Sequence, residues 1–458
     1  MKKTHHDLLL KLVRLLSVVM MAAAFTAAWY LYYAKRVAIL DYKGRDLIVI
    51  GLFMMIFIIV GKIYDAFEIS LNRISEMAFS QILAATVADG VMFVIIWLLT
   101  RRFPNLLPMV LVLAVQSVVA ICWSYGANHW YFRTFPPKIT AIVYDNYRGL
   151  RRLIREYGLE KKYNVQRKMP IDECLADLDQ LSGMQTVFIS GVHSHERNII
   201  LKYCIARGIE VLVIPRIGDV IMSSARHRHM FHMPMLQVVR YRASLEYLFL
   251  KRLTDILISL TALVVLSPVM LVVAIAIKAY DRGPVLYSQV RLTKDAKKFR
   301  IYKFRSMRTD AEKDGVARLS TGDNDDRITP VGRIIRKLRL DELPQLFNIL
   351  KGDLSVCGPR PERPEIAAQY EQEMPEFALR LQAKAGLTGY AQVYGKYNTT
   401  PYDKLQMDLM YIAHPSIVED VKIMLATVKI LFMPESTEGV EEGATTAMDV
   451  EAGDKTTV

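Results

Sequence analysis

A chain of 458 residues with 52% hydrophobic residues, a mean hydropathy of +0.19 and a formal charge of +13 is too long for one ordinary domain and too apolar for an average soluble one. Its four cysteines, Cys122, Cys174, Cys204 and Cys357, have no short paired spacing, which excludes a disulfide framework and a cysteine-built zinc site and points to reduced thiols. A pI near 9.4 is accounted for equally by nucleic acid, an anionic lipid surface or a phosphorylated substrate, and charge alone does not choose among them.

Four apolar runs open the chain: Leu15 to Ala34, Leu47 to Gly61, Ala78 to Thr100 and Leu106 to Tyr125. Each is about as long as a bilayer core requires of a helix, so residues 1–133 read as a four-helix transmembrane domain. The second run is the shortest and needs Lys62 to snorkel. Trp29, Tyr30, Tyr32 and Tyr33 in the first run, and Trp123, Tyr125, Trp130 and Tyr131 in the last, have the placement of interfacial belts. Lys11 and Arg14 interrupt the opening run, which favours an uncleaved anchor over a signal peptide. Asp89 is the one acid at depth, and a helix–helix hydrogen bond is expected for it.

Residues 138–240 change pattern. KITAIVYDN, RGLRRLIREYG, QTVFISGV, HERNIILKYCIARGIE and VLVIPRI alternate β-rich and amphipathic stretches, the signature of a parallel α/β, Rossmann-like module. A dinucleotide site needs a glycine-rich turn after the first strand, whereas DNYRGL offers Gly149 alone. The expectation is therefore a degenerate module with a structural, regulatory or dimerising role.

Ile256 to Ile277 is long enough for a fifth span. Ser267 and Pro268 stand near its centre, where proline removes a backbone donor, and both flanks are basic, with Lys251 and Arg252 before it and Lys278, Arg282 and Arg291 after it. This combination favours a re-entrant element over residues 252–280, kinked at Ser267 and Pro268, that enters and leaves by one face.

Chemistry gathers downstream of Gly283. Arg291, Lys297, Lys298, Arg300, Lys303, Arg305 and Arg308 form a dense basic region, open to reading as a solvated face. VGRIIRKLRL places Ile334, Ile335 and Leu338 on one helical side, which suits a helix in a membrane interface or one packed on the protein core. In LDELPQLFNILKGDLSVCGPRPE, Pro344 fits only a first turn, so the helix is expected to start near Asp341 and Glu342 and run through Leu350. Carboxylates there cap a helix, attack phosphorus or hold magnesium. Arg360, stiffened between two prolines, suits bidentate phosphate binding.

Together these strings resemble the catalytic domain of the bacterial sugar transferases, the polyprenyl-phosphate sugar-phosphate transferases also called monotopic phosphoglycosyl transferases. KRLTDILISL with Ser267 and Pro268, FRIYKFRSM, DNDDRITPVGRIIRKLRLDELPQL, GDLSVCGPRPE and GLTGYAQVYGK occur in family order. The resemblance implies an α+β catalytic domain over residues 248–434, behind the transmembrane bundle and α/β module of the family's large members. It implies that Asp341 is the nucleophile toward the β-phosphate of a UDP-sugar, with UMP leaving and polyprenyl phosphate then accepting the sugar phosphate. Glu342 matches the second acid, magnesium is the implied ion with Asp341 and Glu342 as its ligands, and Lys303, Arg305, Arg327 and Arg360 are the implied substrate cations. It further implies a bacterial inner-membrane location with a cytosolic catalytic face, a lipid bilayer as partner, no nucleic acid, and compatibility with a homodimer.

Three details depart from the family pattern: Lys384-Ala385-Gly386 where Arg-Pro-Gly is commoner, Lys396 where arginine is frequent, and Val356-Cys357 before the GPRP turn. The rival enzyme reading, a glycosyltransferase that releases UDP, would use Asp323 and Asp325 as a metal-binding Asp-x-Asp. A membrane sensor or scaffold leaves DELPQL and GPRP without a purpose. Residues 435–458 read as a disordered acidic tail.

Overall fold

The structure is a computed structural model that describes residues 3–37, 44–145, 150–240, 243–309, 311, 325, 327–395 and 399–431. Gly149, Asp323, Lys396 and the tail 435–458 lie outside the described residues. The chain divides into two compact units, Met1–Pro215 and Arg216–Val458.

The first unit opens with four helices: α1 (Lys3–Ala28), α2 (Arg45–Ile63), α3 (Ile74–Thr100) and α4 (Leu107–Thr134). All are long and apolar enough to cross a membrane. They match the four runs, and α1 continues through a π turn at Trp29–Tyr33 and a short 3-10 turn. Two of the belt aromatics there anchor the turn: Trp29 Nε1 donates to Asp46 at 2.9 Å and the Tyr33 hydroxyl to the Asn105 carbonyl at 2.8 Å. Some polar groups inside the bundle find partners there, as apolar surroundings favour. Ser17 Oγ donates to Gln81 Oε1 at 3.2 Å, and Gln81 Nε2 to the Ala66 carbonyl at 3.3 Å. Asp89 departs from expectation. It is buried in α3, and neither carboxylate oxygen has a hydrogen-bond partner among the described residues.

Next comes a parallel sheet of β1 (Lys138–Tyr144), β2 (Tyr163–Pro170), β3 (Thr186–Ser190) and β4 (Glu210–Val213), in the order β2-β1-β3-β4. Its connections carry α5 (Leu150–Glu156), α6 (Ile171–Ala176) and α7 (Ser194–Ala206). Ala141, Val143, Val187 and Ile189 are buried on the central strands, and Ile200 and Cys204 of α7 pack against them. Near-continuous apolar strands of this kind are typical of a parallel sheet covered by helices.

In the second unit, α8 (Ile217–Ser223) places Ile217 and Val220 in the same core as Leu346, Ile349 and Leu405. Sequence grouping had joined this segment to the α/β module. A hairpin follows, β5 (Arg226–Met230) and β6 (Met233–Gln237), turned by Phe231 and His232 at positive φ. Helix α9 (Leu245–Asp281) is one continuous element of 37 residues with Pro268 inside it. The antiparallel pair β7 (Leu286–Leu292) and β8 (Lys298–Phe304) leads to α10 (Pro330–Lys337), α11 (Gln345–Lys351), β9 (Ser355–Cys357), α12 (Pro364–Glu373), β10 (Gly386–Thr388), α13 (Tyr390–Val393), α14 (Pro401–Ala413) and α15 (Ile417–Leu431).

Both ends of α9 are fastened to this unit. Near its start, Arg252 donates to the Ile349 and Leu350 carbonyls at 2.6 Å each, and Asp255 accepts from Ser355 Oγ and the Val356 N–H at 2.9 Å. Near its end, Val273 and Ile277 pack with Phe304 and Ile335, and Asp281 pairs with Arg305. Between these anchors Val264, Val265, Leu271 and Val272 are exposed. Lys251 and Arg252, read from sequence as basic membrane flanks, are ties to the domain: Lys251 pairs with Asp420 at 2.9 Å.

Candidate functional site

Arg339 turns the chain through the left-handed region at φ 55°, and a 3-10 turn at Leu340–Glu342 follows. The α-helix itself begins at Gln345, with Pro344 as its N-cap. This corrects the expected start at Asp341. A proline has no N–H to donate and suits a helix entry, so the two acids are displayed on the tight turn before the helix.

Helix α11 is held in place by a buried amide. Asn348 Oδ1 accepts the Tyr302 N–H at 3.0 Å and Nδ2 donates to the Arg300 carbonyl at 2.7 Å, completing the free edge of β8 with a side chain. At the other end, Gly352 at φ +94° is the left-handed C-cap, and the Arg252 guanidinium covers the carbonyls of Ile349 and Leu350. The dyad and β8 are thereby kept in register.

Register brings Lys303 of β8 to the dyad: its Nζ lies 2.7 Å from Glu342 Oε1. Arg360 reaches the same oxygen at 2.9 Å. The GPRP turn that carries Arg360 is made by close backbone contact. The Gly386 N–H donates to the Pro359 carbonyl at 2.9 Å and the Gly358 N–H to the Thr388 carbonyl at 2.8 Å. A Cβ on Gly358 or Gly386 would strike the facing backbone, which is why glycine stands at both positions.

The two acids differ in surroundings. Burial alone would raise the Glu342 carboxyl, but Lys303 and Arg360 outweigh it and hold the group well below the usual carboxylate range. Asp341 is also buried, and no donor lies within hydrogen-bond distance of its carboxylate among the described residues. Desolvation pushes it upward, the neighbouring Glu342 adds to this, and Lys303 opposes. One carboxylate is thus cross-tied by two cations and its neighbour is left unencumbered.

The other expected substrate cations are placed elsewhere. Arg305 is buried and bound to Asp281, with Nη1 at 2.6 Å from Oδ2, and its Nε donates to the Pro284 carbonyl at 2.7 Å. Arg327 pairs with Asp325 at 2.7 Å. Asp325, one half of the rival Asp-x-Asp, is therefore neutralised by an arginine. Ser267 and Pro268 lie within α9, where Ser267 Oγ donates to the Val264 carbonyl at 2.8 Å. In α10, Ile335 turns into the core, while Ile334 and Leu338 face outward beside Arg333 and Lys337. The core-packed reading of that helix holds for Ile335.

Behind Arg360 stands an arrangement absent from the sequence reading. Arg380, 4% exposed, pairs with Asp408 at 2.6 Å, donates to the Arg360 carbonyl at 2.8 Å and lies 3.6 Å from Glu362. Arg291 approaches Glu362 at 3.9 Å from the other side. The elements involved are far apart in sequence, and no local string signals their meeting.

An acidic pair on a turn, with Lys303 and Arg360 on one of its acids and set in a domain that carries an exposed apolar helix, has the chemistry of a phosphate site in a membrane-associated protein. Comparison with known proteins agrees. The family model described as "Bacterial sugar transferase" matches residues 246–434. The UDP-N-acetylgalactosamine-undecaprenyl-phosphate N-acetylgalactosaminephosphotransferase of Aeromonas hydrophila is 34% identical over 328 residues, covering 70% of this chain and 73% of the relative. The exopolysaccharide production protein PSS of Rhizobium leguminosarum bv. phaseoli is 44% identical over 190 residues, 40% of this chain and 94% of the relative. The UDP-glucose:undecaprenyl-phosphate glucose-1-phosphate transferase of Klebsiella pneumoniae is 37% identical over 223 residues, 48% of each chain. The chain belongs to the bacterial sugar transferase family.

Proposed function

We propose that this protein is a phosphoglycosyl transferase that moves a sugar 1-phosphate from a UDP-sugar to undecaprenyl or a related polyprenyl phosphate, opening the synthesis of a surface polysaccharide. A carboxylate oxygen of Asp341 attacks the β-phosphorus of the donor, the bond to the bridging oxygen breaks, and UMP leaves with that electron pair. The resulting acyl phosphate is attacked at phosphorus by the lipid phosphate oxygen, which forms the lipid diphosphosugar and regenerates the carboxylate. The observation that carries this reading is the asymmetry of the dyad: Asp341 accepts no hydrogen bond among the described residues, whereas Glu342 is held by Lys303 and Arg360. A desolvated carboxylate without donors keeps its electron density for attack, and the adjacent cations offset the charge of the incoming phosphates.

The donor set fits magnesium. The ion commonly takes one or two carboxylates and completes its shell with water and substrate phosphate, and among the described residues no cluster of three acidic, histidine or cysteine ligands exists to hold it without substrate. Asp341 and Glu342 are the residues that would hold it, and when bound it would neutralise charge on the transferring phosphate. Chelation should stop turnover and added magnesium should restore it.

The fastening of both ends of α9 to one unit, with exposed apolar residues between, supports a re-entrant element that leaves the bilayer by the face it entered. A straight helix of this length would extend about 55 Å, more than a hydrocarbon core needs. The outward Ile334 and Leu338 suit the same interface. These features support a site at the cytosolic face of the bacterial inner membrane, where nucleotide sugars and the lipid phosphate would meet. The parallel sheet order supports a Rossmann-like module in a structural or regulatory role. The β5–β6 hairpin, exposed on both strands, supports a dimer in which a second copy covers Met230, Phe231 and Leu236.

The test is intact-mass spectrometry after exposure to a UDP-sugar with the lipid acceptor omitted. A sugar-phosphate adduct should appear on the wild-type protein, accompanied by UMP, and be absent from Asp341→Asn. An undiminished adduct on that variant would assign the nucleophile elsewhere.

A further inference from the structure

Around Arg360, three acids are already faced by an arginine or a lysine. Glu342 takes Lys303 and Arg360, Asp408 takes Arg380, and Glu362 lies between Arg291 and Arg380. A further cation, Lys404, stands close by. Lys404 sits in the first turns of α14, one helical turn before Asp408, so both side chains lie on the same face. That face carries the Asp408–Arg380 pair, and Lys404 lies within electrostatic reach of Glu362, Arg380, Arg360 and Asp408. Its ammonium makes no ion pair or hydrogen bond with any side chain among the described residues, although the residue is only partly exposed.

A desolvated cation with like charges around it is unfavourable unless an anion joins it. Burial, followed by the repulsion of Arg380 and Arg360, draws the Lys404 pKa below the ordinary lysine value even with Glu362 nearby. That cost falls if the substrate brings a further anion beyond Glu362 and Asp408, which Arg291 and Arg380 already share. We propose that Lys404 is a substrate-binding residue of the transferase, an ammonium that joins Arg360 in receiving the diphosphate of the nucleotide-sugar donor. This rests on the phosphoglycosyl transferase reading and adds to it a contact from a helix remote in sequence from both the dyad and the GPRP turn. The buried Arg380–Asp408 pair has a place in the same arrangement. It grips the Arg360 carbonyl from one side and shares α14 with Lys404 on the other, so it holds the two cations at a fixed separation.

The test uses the full chain in lipid nanodiscs. In wild-type turnover with a UDP-sugar and polyprenyl phosphate, UMP release is measured first; its absence would overturn the transferase reading and this proposal with it. Given UMP release, Lys404→Met should raise the donor KM about tenfold or more while kcat stays within about threefold, and Lys404→Arg should recover most of the affinity, as expected for a charge-assisted phosphate contact. Independently of turnover, UDP should protect Lys404 from an amine-acetylating ester, read by peptide mass spectrometry, and leave the exposed Lys297 unprotected. A donor KM within twofold of wild type in Lys404→Met, or equal labelling of Lys404 with and without UDP, would overturn the proposal. So would a loss of kcat that Lys404→Arg fails to restore.

Discussion

Asn348 offers a measurable test of how the dyad is positioned. Its side chain is fully buried and makes both of its hydrogen bonds to the backbone of β8, accepting from the Tyr302 N–H at 3.0 Å and donating to the Arg300 carbonyl at 2.7 Å. Asn348→Ala removes both at once and leaves a part-buried donor and a part-buried acceptor without partners. Each such orphan costs roughly 1–3 kcal/mol, so a loss of about 2–6 kcal/mol is expected before any cavity cost. For a unit of this size, about 1 kcal/mol corresponds to a shift of roughly 2–4 °C, so the midpoint should fall by at least about 4 °C. The assay is a thermal scan of wild type and variant in the same detergent at the same rate, since membrane proteins often unfold irreversibly. Lys303 is the residue next to Tyr302, so adduct formation from the donor should slow as well, even at temperatures where the variant is folded. A midpoint shift below about 2 °C, with adduct formation unchanged, would mean that α11 is held against β8 by apolar packing alone.

The C-terminal cap of α11 is a second lever. Arg252→Met removes the guanidinium from the Ile349 and Leu350 carbonyls and should cost roughly 1.5–3 kcal/mol, seen as a lower thermal midpoint that Arg252→Lys restores only in part. Asp408 predicts a pH dependence. One of its oxygens takes Arg380 while the other is buried without a partner, and burial pushes the carboxyl up to about 6 in spite of the arginine. A carboxyl that binds its proton more tightly when folded gives stability that is present below about pH 4 and lost as pH rises toward 6, on the order of 2–3 kcal/mol. Subtracting the stability profile of Asp408→Asn from that of the wild type should expose this falling limb, and a flat difference between pH 4 and 6 would refute the assignment.

The four spans, the parallel strands and the catalytic strings were legible because each is written locally, in apolar run length, in alternation, or in one short motif. Asp341, Glu342 and Arg360 come together as the motifs implied, and Lys303 joins them. What sequence could not supply was the partner of each charge. Arg305 looks like a phosphate ligand in KFRSM, yet it is bound to Asp281 at the end of α9. Lys251 and Arg252 look like flanks for lipid headgroups, but they bind Asp420 and the end of α11. The sign of a charge is visible in a string of letters, while its counter-charge lies up to 169 residues away. Pro344 misled in a smaller way, since a proline that caps a helix and one inside its first turn leave the same pattern, and only the backbone shows the 3-10 turn before it.

Adjacent residues on a tight turn cannot share one environment, and the proposed attack by Asp341 would benefit from that difference. If both acids were tied to cations, neither would be free to attack phosphorus; if neither were tied, two neighbouring carboxylates would repel each other and the incoming phosphates. Fixing Glu342 between Lys303 and Arg360 draws the turn to the basic wall of the site and leaves Asp341 beside that wall without a donor of its own. Loss of Glu342 should therefore harm Asp341 through position and field as well as through any ion it helps to hold. Glu342→Gln keeps the shape and can still accept from Arg360, so it should retain more adduct formation than Glu342→Ala. Equal loss in the two variants, both folded, would show that only the charge of Glu342 matters to the step.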